Sequence, residues 1–337
     1  MTLPFRHTRR AILAGSAACL AAPRIGLAQS DDWSGLMETA RGYDQLHALA
    51  VWVDGDEVLR ERVRGPGLDT VVNVKSVAKT WVCACLGAAI GRGEISGLDA
   101  TLGTLAPNLV PSGAADQVTE ITVGDLASMQ AGLERTSGGN YGAWIASGNW
   151  VADALGREMV SDPGGRMLYS TGSTHVLGAV LTEVTGLSLL EQMRARLADP
   201  MDVEIPTWVR DPQGYYMGGN QMGMTLTAML RFGEMHRAQG IWNGTRVLES
   251  DWIDAAWEPR TQSPWSGLGY GLGWFLGTEA GRDFALARGY GGQVIAVAPQ
   301  AGMVMAITSD PDQPARSEGY FGRLEALVRR GVRIARA

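Results

Sequence analysis

The sequence predicts an α+β protein in which an antiparallel five-stranded sheet is flanked by terminal helices and an all-α domain is inserted between its halves. The 337 residues are 45% hydrophobic and 19% charged, enough for a large buried core and too apolar for intrinsic disorder. Strand patterns occur near both ends, and helical patterns fill the middle. The 45 glycines follow no fixed period, which excludes a collagen-like fibre.

Residues 1–28 have the features of a twin-arginine export signal and are set aside from the fold. Arg9 and Arg10 precede a hydrophobic run from Ile12 to Ala22, which is too short to span a bilayer, and Ala28 ends a small-residue cleavage site. We therefore expect a periplasmic or secreted protein, with no stable membrane insertion after signal removal.

The mature chain is acidic. Removal of residues 1–28 takes away four arginines and no acidic residue, which changes the net charge from −6 to −10. Nucleic acids and anionic membranes select for clustered lysine and arginine, so they are not expected partners. A small-molecule amide or ester is consistent with this charge.

The first part of the sheet domain spans residues 29–92. A helix is predicted from Trp33 to Asp44, followed by a hairpin whose strands, Leu46 to Val53 and Val58 to Arg64, meet at an Asp-Gly turn. From Ser76 to Gly91 nearly every residue is apolar, which predicts a helix buried at the centre of the molecule and ended by glycine.

The helical domain is predicted over residues 93–260, and residues 261–337 complete the sheet domain. The helical patterns are 122–129, 173–185, 188–198, 225–238 and 249–257. Three late strands (270–276, 294–298 and 303–307) and an amphipathic closing helix (317–335) follow. A cleft is expected where the helical domain meets the sheet.

Neither a disulfide framework nor a metal site is expected. Cys83 and Cys85 are two residues apart on one helix and point to different sides. The four histidines lack any metal-binding spacing. We predict that no cofactor is bound.

The lysines indicate where the chemistry lies. Of 29 basic residues only Lys75 and Lys79 are lysines, and they flank Ser76. An amine can lose its proton at accessible pH whereas a guanidinium cannot, and Lys79 lies one helical turn from Ser76 within an apolar helix. The pair is a candidate nucleophile and base, although Ser-x-x-Lys also recurs by chance.

Two later motifs add to this pair. Tyr169-Ser170-Thr171 ends a Pro-Gly-Gly loop just before a helix, where a tyrosine hydroxyl can share a proton with serine and lysine, or simply pack in the core. Arg288-Gly289-Tyr290-Gly291-Gly292-Gln293 leads into a late strand, where glycines allow close substrate approach or form a bulge.

In this order and at these distances, the three motifs resemble the serine β-lactamase and penicillin-binding-protein superfamily, in its class C-like serine hydrolase branch. The resemblance covers essentially the whole mature chain and implies a β-lactamase/transpeptidase-like fold. Further motifs are most similar to 6-aminohexanoate-dimer hydrolases and related esterases: Trp208-x-x-Asp211-Pro212-Gln213-Gly214, Gly218-Gly219, Arg231-Phe232-Gly233 and Gly240-x-Trp242-Asn243-Gly244. The implied function is hydrolysis of an amide or ester through an acyl-enzyme.

The resemblance implies a role for each matched position. Ser76 is the nucleophile, Lys79 its proton partner and Tyr169 a second acid/base, while the backbone N–H groups of Ser76 and Tyr290 form the oxyanion hole. The expected substrate contacts are Thr171, Gly291, Gln293, Tyr141 and Arg288, and Trp265 is a further candidate for the pocket wall.

This sequence departs from the family pattern at two positions. Thr171 replaces the usual asparagine or serine of the second motif, and Ala287-Arg288-Gly289 stands where β-lactamases have Lys-Thr-Gly. Because that lysine helps to bind the substrate carboxylate, β-lactam specificity is in doubt. The alternative function is a penicillin-recognising binding or sensor protein, or a weak β-lactamase or D-Ala-D-Ala carboxypeptidase.

Two other enzyme classes are disfavoured. The chain has no Gly-x-Ser-x-Gly elbow of an α/β-hydrolase, and His175 is predicted on a helix in a core or surface role. The glycines at 267, 269, 271 and 273 alternate as in a strand, whereas a nucleotide-binding loop lies between a strand and a helix.

Overall fold

The computed structural model describes residues 32–335, and the predicted export signal lies outside them. The strands in this part of the chain are β1 (Leu46–Val53), β2 (Asp56–Arg62), β3 (Val72–Asn73), β4 (Gly223–Met224), β5 (Ile241–Trp242), β6 (Thr245–Arg246), β7 (Thr261–Gln262), β8 (Gly269–Tyr270), β9 (Phe275–Glu279), β10 (Arg282–Gly289), β11 (Gln293–Ala298) and β12 (Met303–Ser309). Eight of them form one antiparallel sheet in the order β2-β1-β12-β11-β10-β9-β8-β7. β3 pairs with β4, and β5 pairs with β6.

The predicted α+β class with an antiparallel sheet is confirmed, but the sheet has eight strands rather than five. The sequence pattern missed β10 because its centre, Phe284 to Ala287, is buried on both faces and does not alternate. It also missed β7, which has only two residues, and the single strand predicted over 270–276 joins the end of β8 to the start of β9 across a turn.

Helices cover both faces of the sheet. In chain order they are α1 (Trp33–Arg41), α2 (Ala78–Gly91), α3 (Leu102–Leu105), α4 (Val123–Ala127), α5 (Tyr141–Ile145), α6 (Trp150–Leu155), α7 (Thr171–Thr185), α8 (Leu189–Met193), α9 (Leu226–Arg237), α10 (Ser250–Ala256) and α11 (Tyr320–Ile334). Along β12, Met303, Met305 and Ile307 face the core under α1 and α11, whereas Val304 and Ala306 face the core under α9. The predicted boundary at residue 260 therefore assigns α9 to the helical domain although it packs on the sheet.

The regular part of the buried helix predicted from Ser76 begins two residues later. Lys75–Val77 is a 3₁₀ turn, and regular α-helix starts at Ala78. Trp81 is fully buried and stacks on Phe232 with ring centroids 4.1 Å apart. An all-round apolar surface lets α2 contact α7, α8 and β10 at once, so the Ser76 turn is held at the centre of the molecule.

The glycine-rich motif, predicted to lead into a late strand, forms the turn between β10 and β11. Gly289 ends β10 and Gln293 begins β11, so Tyr290, Gly291 and Gly292 connect a hairpin. The φ angles of Gly291 and Gly292 are 81° and 99°, a conformation that favours glycine.

In the described part of the chain, no single helix is long and apolar enough to cross a membrane, although α7 and the following Leu189–Met201 segment, bent by 84°, pass that test as a pair.

Candidate active site

A cavity of about 780 Å³ lies between the end of the sheet and the helical segment. Six of the residues predicted for the site line it: Ser76, Tyr141, Tyr169, Thr171, Arg288 and Tyr290. Trp265 also lines it. The fold therefore brings together residues that are more than 200 positions apart in the sequence.

Lys79 is buried and makes three polar contacts at its amine. Its Nζ lies 3.0 Å from Ser76 Oγ, 3.1 Å from Thr171 Oγ1 and 2.7 Å from the Gly219 carbonyl oxygen. A neutral amine has two N–H donors and one lone pair. Thr171 and Gly219 can take the two donors, which leaves the lone pair for the Ser76 hydroxyl proton.

The charge state of Lys79 suits a base. Burial lowers its pKa from 10.5 to about 7, with a smaller opposing effect from Cys83. The Cys83 thiol is itself buried, and desolvation raises its pKa to about 12, so it stays neutral at physiological pH. A substantial fraction of Lys79 is therefore unprotonated near neutral pH and can accept a proton from Ser76.

Tyr169 lines the same cavity as Ser76. The Lys79 amine lies 5.2 Å from the Tyr169 ring centroid, and the Ser76 hydroxyl is close enough to affect the pKa of the phenol. The Tyr169 ring packs against Phe275 at 6.1 Å. Burial raises the pKa of Tyr169 to about 12, against a smaller lowering effect of the Ser76 hydroxyl, so the phenol carries its proton at neutral pH and can act as an acid.

Thr171, which replaces the usual asparagine or serine of the second motif, forms hydrogen bonds to two neighbouring side chains. Its hydroxyl lies 3.1 Å from both the Lys79 amine and the Ser137 hydroxyl, and its N–H donates to Ser137 Oγ at 2.9 Å. The hydroxyl thus holds Lys79, a contact that requires only a side-chain oxygen. No sequence motif indicated Ser137, which lies 34 residues before Thr171.

Arg288 lies in the cavity wall rather than in solvent. Its guanidinium carbon lies 4.6 Å from the Phe275 ring centroid and 3.9 Å from that of Phe321, and Nη2 donates to Ser317 Oγ at 3.0 Å. Burial lowers the pKa of Arg288 to about 10, which still leaves it cationic at neutral pH. A cation between two aromatic rings can bind a substrate carboxylate.

The end of β10 lies directly against the Ser76 turn. A Cβ on Gly289 would lie 2.2 Å from the Val74 carbonyl oxygen, so only glycine permits this approach. The following residue, Tyr290, is 51% exposed and lines the cavity. This packing places the Tyr290 backbone on the same side of the cavity as Ser76.

Two predicted substrate contacts, Gln293 and Gly291, are not in the cavity wall. The Gln293 amide is buried: its Nε2 donates to the Ser309 carbonyl at 2.8 Å, and the Ser309 N–H donates to its Oε1 at 3.1 Å. Gly291 packs against Asp310, where a Cβ would lie 2.3 Å from the carbonyl oxygen. Both residues stabilise the hairpin: Gln293 through its hydrogen bonds to Ser309, and Gly291 by allowing the backbone to approach Asp310 closely.

Several wall residues carried no sequence signal. Tyr141 was predicted, and its hydroxyl accepts a hydrogen bond from Asn220 Nδ2 at 2.8 Å, but Asn220 was not predicted. Phe275, Ser317 and Phe321 also line the cavity. Within residues 32–335 no group of three or more His, Cys, Asp or Glu side chains is arranged to hold a metal ion.

The chain matches the model of a known protein family over most of its length. The family model described as Beta-lactamase matches residues 44–329. A comparison of the sequence with curated proteins finds no significant match.

Solved structures share the fold at low sequence identity. A protein from Bacillus anthracis assigned as a 6-aminohexanoate-dimer hydrolase is 20% identical, with a TM-score of 0.74 over 90% of this chain and 81% of its own. A penicillin-binding protein homologue from Caulobacter crescentus is 16% identical, with a TM-score of 0.72 over 89% and 96% of the two chains. A family VIII carboxylesterase is 16% identical, with a TM-score of 0.68 over 89% and 96%.

Proposed function

The chain belongs to the Beta-lactamase family, and on this premise we propose that it is a serine hydrolase that cleaves an amide or ester bond through an acyl-enzyme at Ser76. The observation that carries the proposal is the 3.0 Å contact between Ser76 Oγ and the Lys79 amine, whose pKa burial lowers to about 7. A hydroxyl beside such an amine is an activated nucleophile.

In the acylation step, Lys79 takes the Ser76 proton while Oγ bonds to the substrate carbonyl carbon. The backbone N–H groups of Ser76 and Tyr290 stabilise the oxyanion. Tyr169 then donates its proton to the departing amine or alkoxide, and the Lys79 ammonium gives its proton to the resulting phenolate, which restores both groups.

In deacylation, the same groups act on water. A water molecule gives a proton to the Tyr169–Lys79 pair and attacks the ester carbonyl, and the proton passes to the departing Ser76 oxygen. Thr171 and Gly219 hold the Lys79 amine in place through both steps. No atom beyond substrate and water is required.

The Ser76→Ala variant tests the proposal. It is expected to lose covalent labelling by a fluorophosphonate probe and all turnover of nitrophenyl esters, nitrocefin, D-Ala-D-Ala peptides or linear aminohexanoate oligomers, whichever the wild type cleaves. Labelling that persists in Ser76→Ala contradicts the assignment.

A penicillin-recognising protein of the same fold is the second candidate, and Arg288 favours it. A buried cation in the cavity wall can bind the carboxylate of a β-lactam in place of the missing lysine. One acylation by a fluorescent penicillin per molecule, without turnover of any ester or amide in the panel, would identify this function.

We also propose that residues 1–28 direct export by the twin-arginine route. Replacing Arg9 and Arg10 by lysine is expected to leave the protein in the cytoplasm of the producing bacterium, whereas the unchanged signal releases it to the periplasm.

A further inference from the structure

Two residues in the cavity wall have a backbone conformation that side chains disfavour. Within residues 32–335, eight non-glycine residues have φ in the left-handed region, and two of them, Lys75 and Gln221, line the main cavity. Their φ angles are 51° and 62°. Lysine and glutamine adopt this conformation only at a cost, so neighbouring contacts must hold it. Because Lys75 directly precedes Ser76, its conformation sets the direction in which the serine points.

Asn73 connects these two residues. Its Oδ1 accepts the backbone N–H of Lys75 at 2.9 Å, and its Nδ2 donates to Oε1 of Gln221. The Gln221 N–H in turn donates to Asn220 Oδ1 at 2.9 Å. Since Oδ1 and Nδ2 of Asn73 belong to one planar amide, the contact with Gln221 fixes the orientation in which Asn73 holds Lys75.

The segment that carries Gln221 also contacts the proposed base. The Gly219 carbonyl lies 2.7 Å from the Lys79 amine, and the Met222 carbonyl accepts the N–H of Val74 at 2.9 Å. The same short segment therefore contacts both the turn that carries the nucleophile and the lysine that faces it. A shift of the turn relative to this segment changes the distance between Ser76 Oγ and the amine.

The side chain of Lys75 contributes little to holding its own backbone. Its amine lies 3.8 Å from Asp312 Oδ1, and the Asp312 side chain is 87% exposed. An ion pair to so exposed a carboxylate stabilises a conformation only weakly. The left-handed backbone of Lys75 depends instead on its N–H bond to Asn73.

We propose that Gln221 is a positioning residue for the nucleophile. It orients the Asn73 amide, which keeps Lys75 left-handed. That backbone in turn directs Ser76 Oγ toward the lone pair of Lys79. This inference rests on the proposed hydrolase function, and it assigns Gln221 to the rate of acylation rather than to substrate affinity, although Gln221 lines the cavity.

Gln221→Ala tests the proposal in burst kinetics with a nitrophenyl ester. We expect the acylation rate constant to fall about tenfold to hundredfold, with the dissociation constant of the ester within about threefold. The matched control is Gln239→Ala: Gln239 is also left-handed, with φ of 53°, but lies outside the cavity wall, and its Oε1 has no hydrogen-bond partner in the described chain. The control should keep the wild-type rate, and similar Tm values show that both variants are folded.

A glycine at position 75 should remove the need for Gln221, because glycine adopts the left-handed conformation without cost. In the Lys75→Gly background, Gln221→Ala should slow acylation by less than about threefold. Lys75→Gln is the control for the lost charge, since it keeps the cost of the conformation; there Gln221→Ala should again slow acylation by about tenfold or more. Equal losses in all three backgrounds overturn the proposal, as does a loss that appears in the dissociation constant.

Crystal structures of the same variants give a readout that does not depend on turnover. The φ of Lys75 should leave the left-handed region in Gln221→Ala, whereas residue 75 should stay left-handed when Lys75→Gly is combined with it. A Lys75 that stays left-handed in Gln221→Ala overturns the positioning role and leaves the hydrolase proposal intact. If the wild type resists labelling at Ser76 and cleaves no ester or amide, the hydrolase proposal fails, and the crystal structures still decide whether Gln221 holds Lys75.

Discussion

The imidazole Nε2 of His175 lies 3.0 Å from Asp211 Oδ2, and both side chains are fully buried. The other ring nitrogen, Nδ1, accepts the N–H of Gly218 at 3.2 Å. Since Nδ1 accepts, Nε2 must carry the proton and donate to Asp211. The next residue, Gly219, supplies the carbonyl that Lys79 contacts at 2.7 Å, so the buried pair formed by His175 on α7 and Asp211 in a loop fixes an acceptor of the Lys79 amine.

Asp211→Asn is expected to disturb this positioning without touching the substrate. Oδ1 of Asp211 also accepts the N–H groups of Gln213 and Tyr215, so an asparagine keeps its oxygen there and turns its NH₂ toward His175. The imidazole must then move its proton to Nδ1, which faces the Gly218 N–H donor. We expect kcat to fall about tenfold to hundredfold with KM nearly unchanged.

Two measurements distinguish this positioning role from a general loss of structure. ¹⁵N spectra should show the His175 proton on Nε2 in the wild type and on Nδ1 in Asp211→Asn. Gln213→Ala, which removes only a side-chain bond to the Gly148 carbonyl, is the control and should keep wild-type kcat. Equal kcat in both variants would contradict the positioning role.

The acylation rate should rise with pH through a single titration near pH 7. Below the pKa of Lys79, about 7, the amine is protonated and cannot accept the Ser76 proton; above it the amine is free. Burst kinetics with a nitrophenyl ester between pH 5 and 9 measure this. Lys79→Arg should lose activity by about 10³-fold at every pH, because guanidinium stays protonated.

Lys79 should also lower the stability of the fold. An unfolded lysine binds its proton up to pH 10.5 and the folded one only up to about pH 7, so the free energy of unfolding contributed by this group rises with pH between those values. Lys79→Met is therefore expected to have a higher free energy of unfolding than the wild type at pH 6. The gain is at most ~5 kcal/mol, and the loss of the Lys79 hydrogen bonds reduces it. Denaturant titrations should show this difference narrowing toward pH 10; a constant difference would contradict the lowered pKa.

Tyr169→Phe removes the phenol while keeping the ring against Phe275. Because burial raises the pKa of Tyr169 to about 12, the wild-type phenol is protonated at neutral pH and serves as the acid for the leaving group. We expect kcat to fall about 10²- to 10³-fold with KM within a fewfold. The loss should be smaller for nitrophenyl esters than for amides, since nitrophenolate leaves without a proton; equal losses would exclude the acid role.

Gly219→Ala should impair both stability and activity. The Gly219 φ is 92°, and a Cβ would lie 2.3 Å from Thr174 Oγ1 and 2.6 Å from Lys79 Cγ. Left-handed strain and overpacking together cost about 3 kcal/mol. Gly97→Ala, with open space around its Cβ, is the control; thermal unfolding should separate the two variants, and an unchanged Tm for Gly219→Ala would contradict the close packing.

The residues for which we propose a catalytic role could be predicted from the sequence because their signals are local or carried by short motifs. Ser76 and Lys79 are one helical turn apart, so helix geometry alone brings them within reach. Tyr169, Thr171, Arg288 and Tyr290 were matched by motif, and the fold places all four in the same cavity wall.

Two predicted substrate contacts, Gln293 and Gly291, lie outside the cavity wall, because packing within the hairpin decides where they face. Gln293 belongs to the same motif as Tyr290, yet its amide bonds to Ser309 across the hairpin. Ser137 and Asn220 reach the site from loops with no motif of their own. Such contacts follow from how the segments pack, which no spacing along the chain records.

The sequence by itself determined the fold class, the acidic charge and the serine, lysine and tyrosine, since these follow from composition, periodicity and motif order. Only the tertiary structure decided that burial lowers the pKa of Lys79, that the Gly219 carbonyl contacts its amine, and that Ser137 and Asn220 line the same cavity as Ser76. Desolvation and long-range contact depend on the whole packed chain, because each residue's surroundings come mostly from segments far from it in sequence.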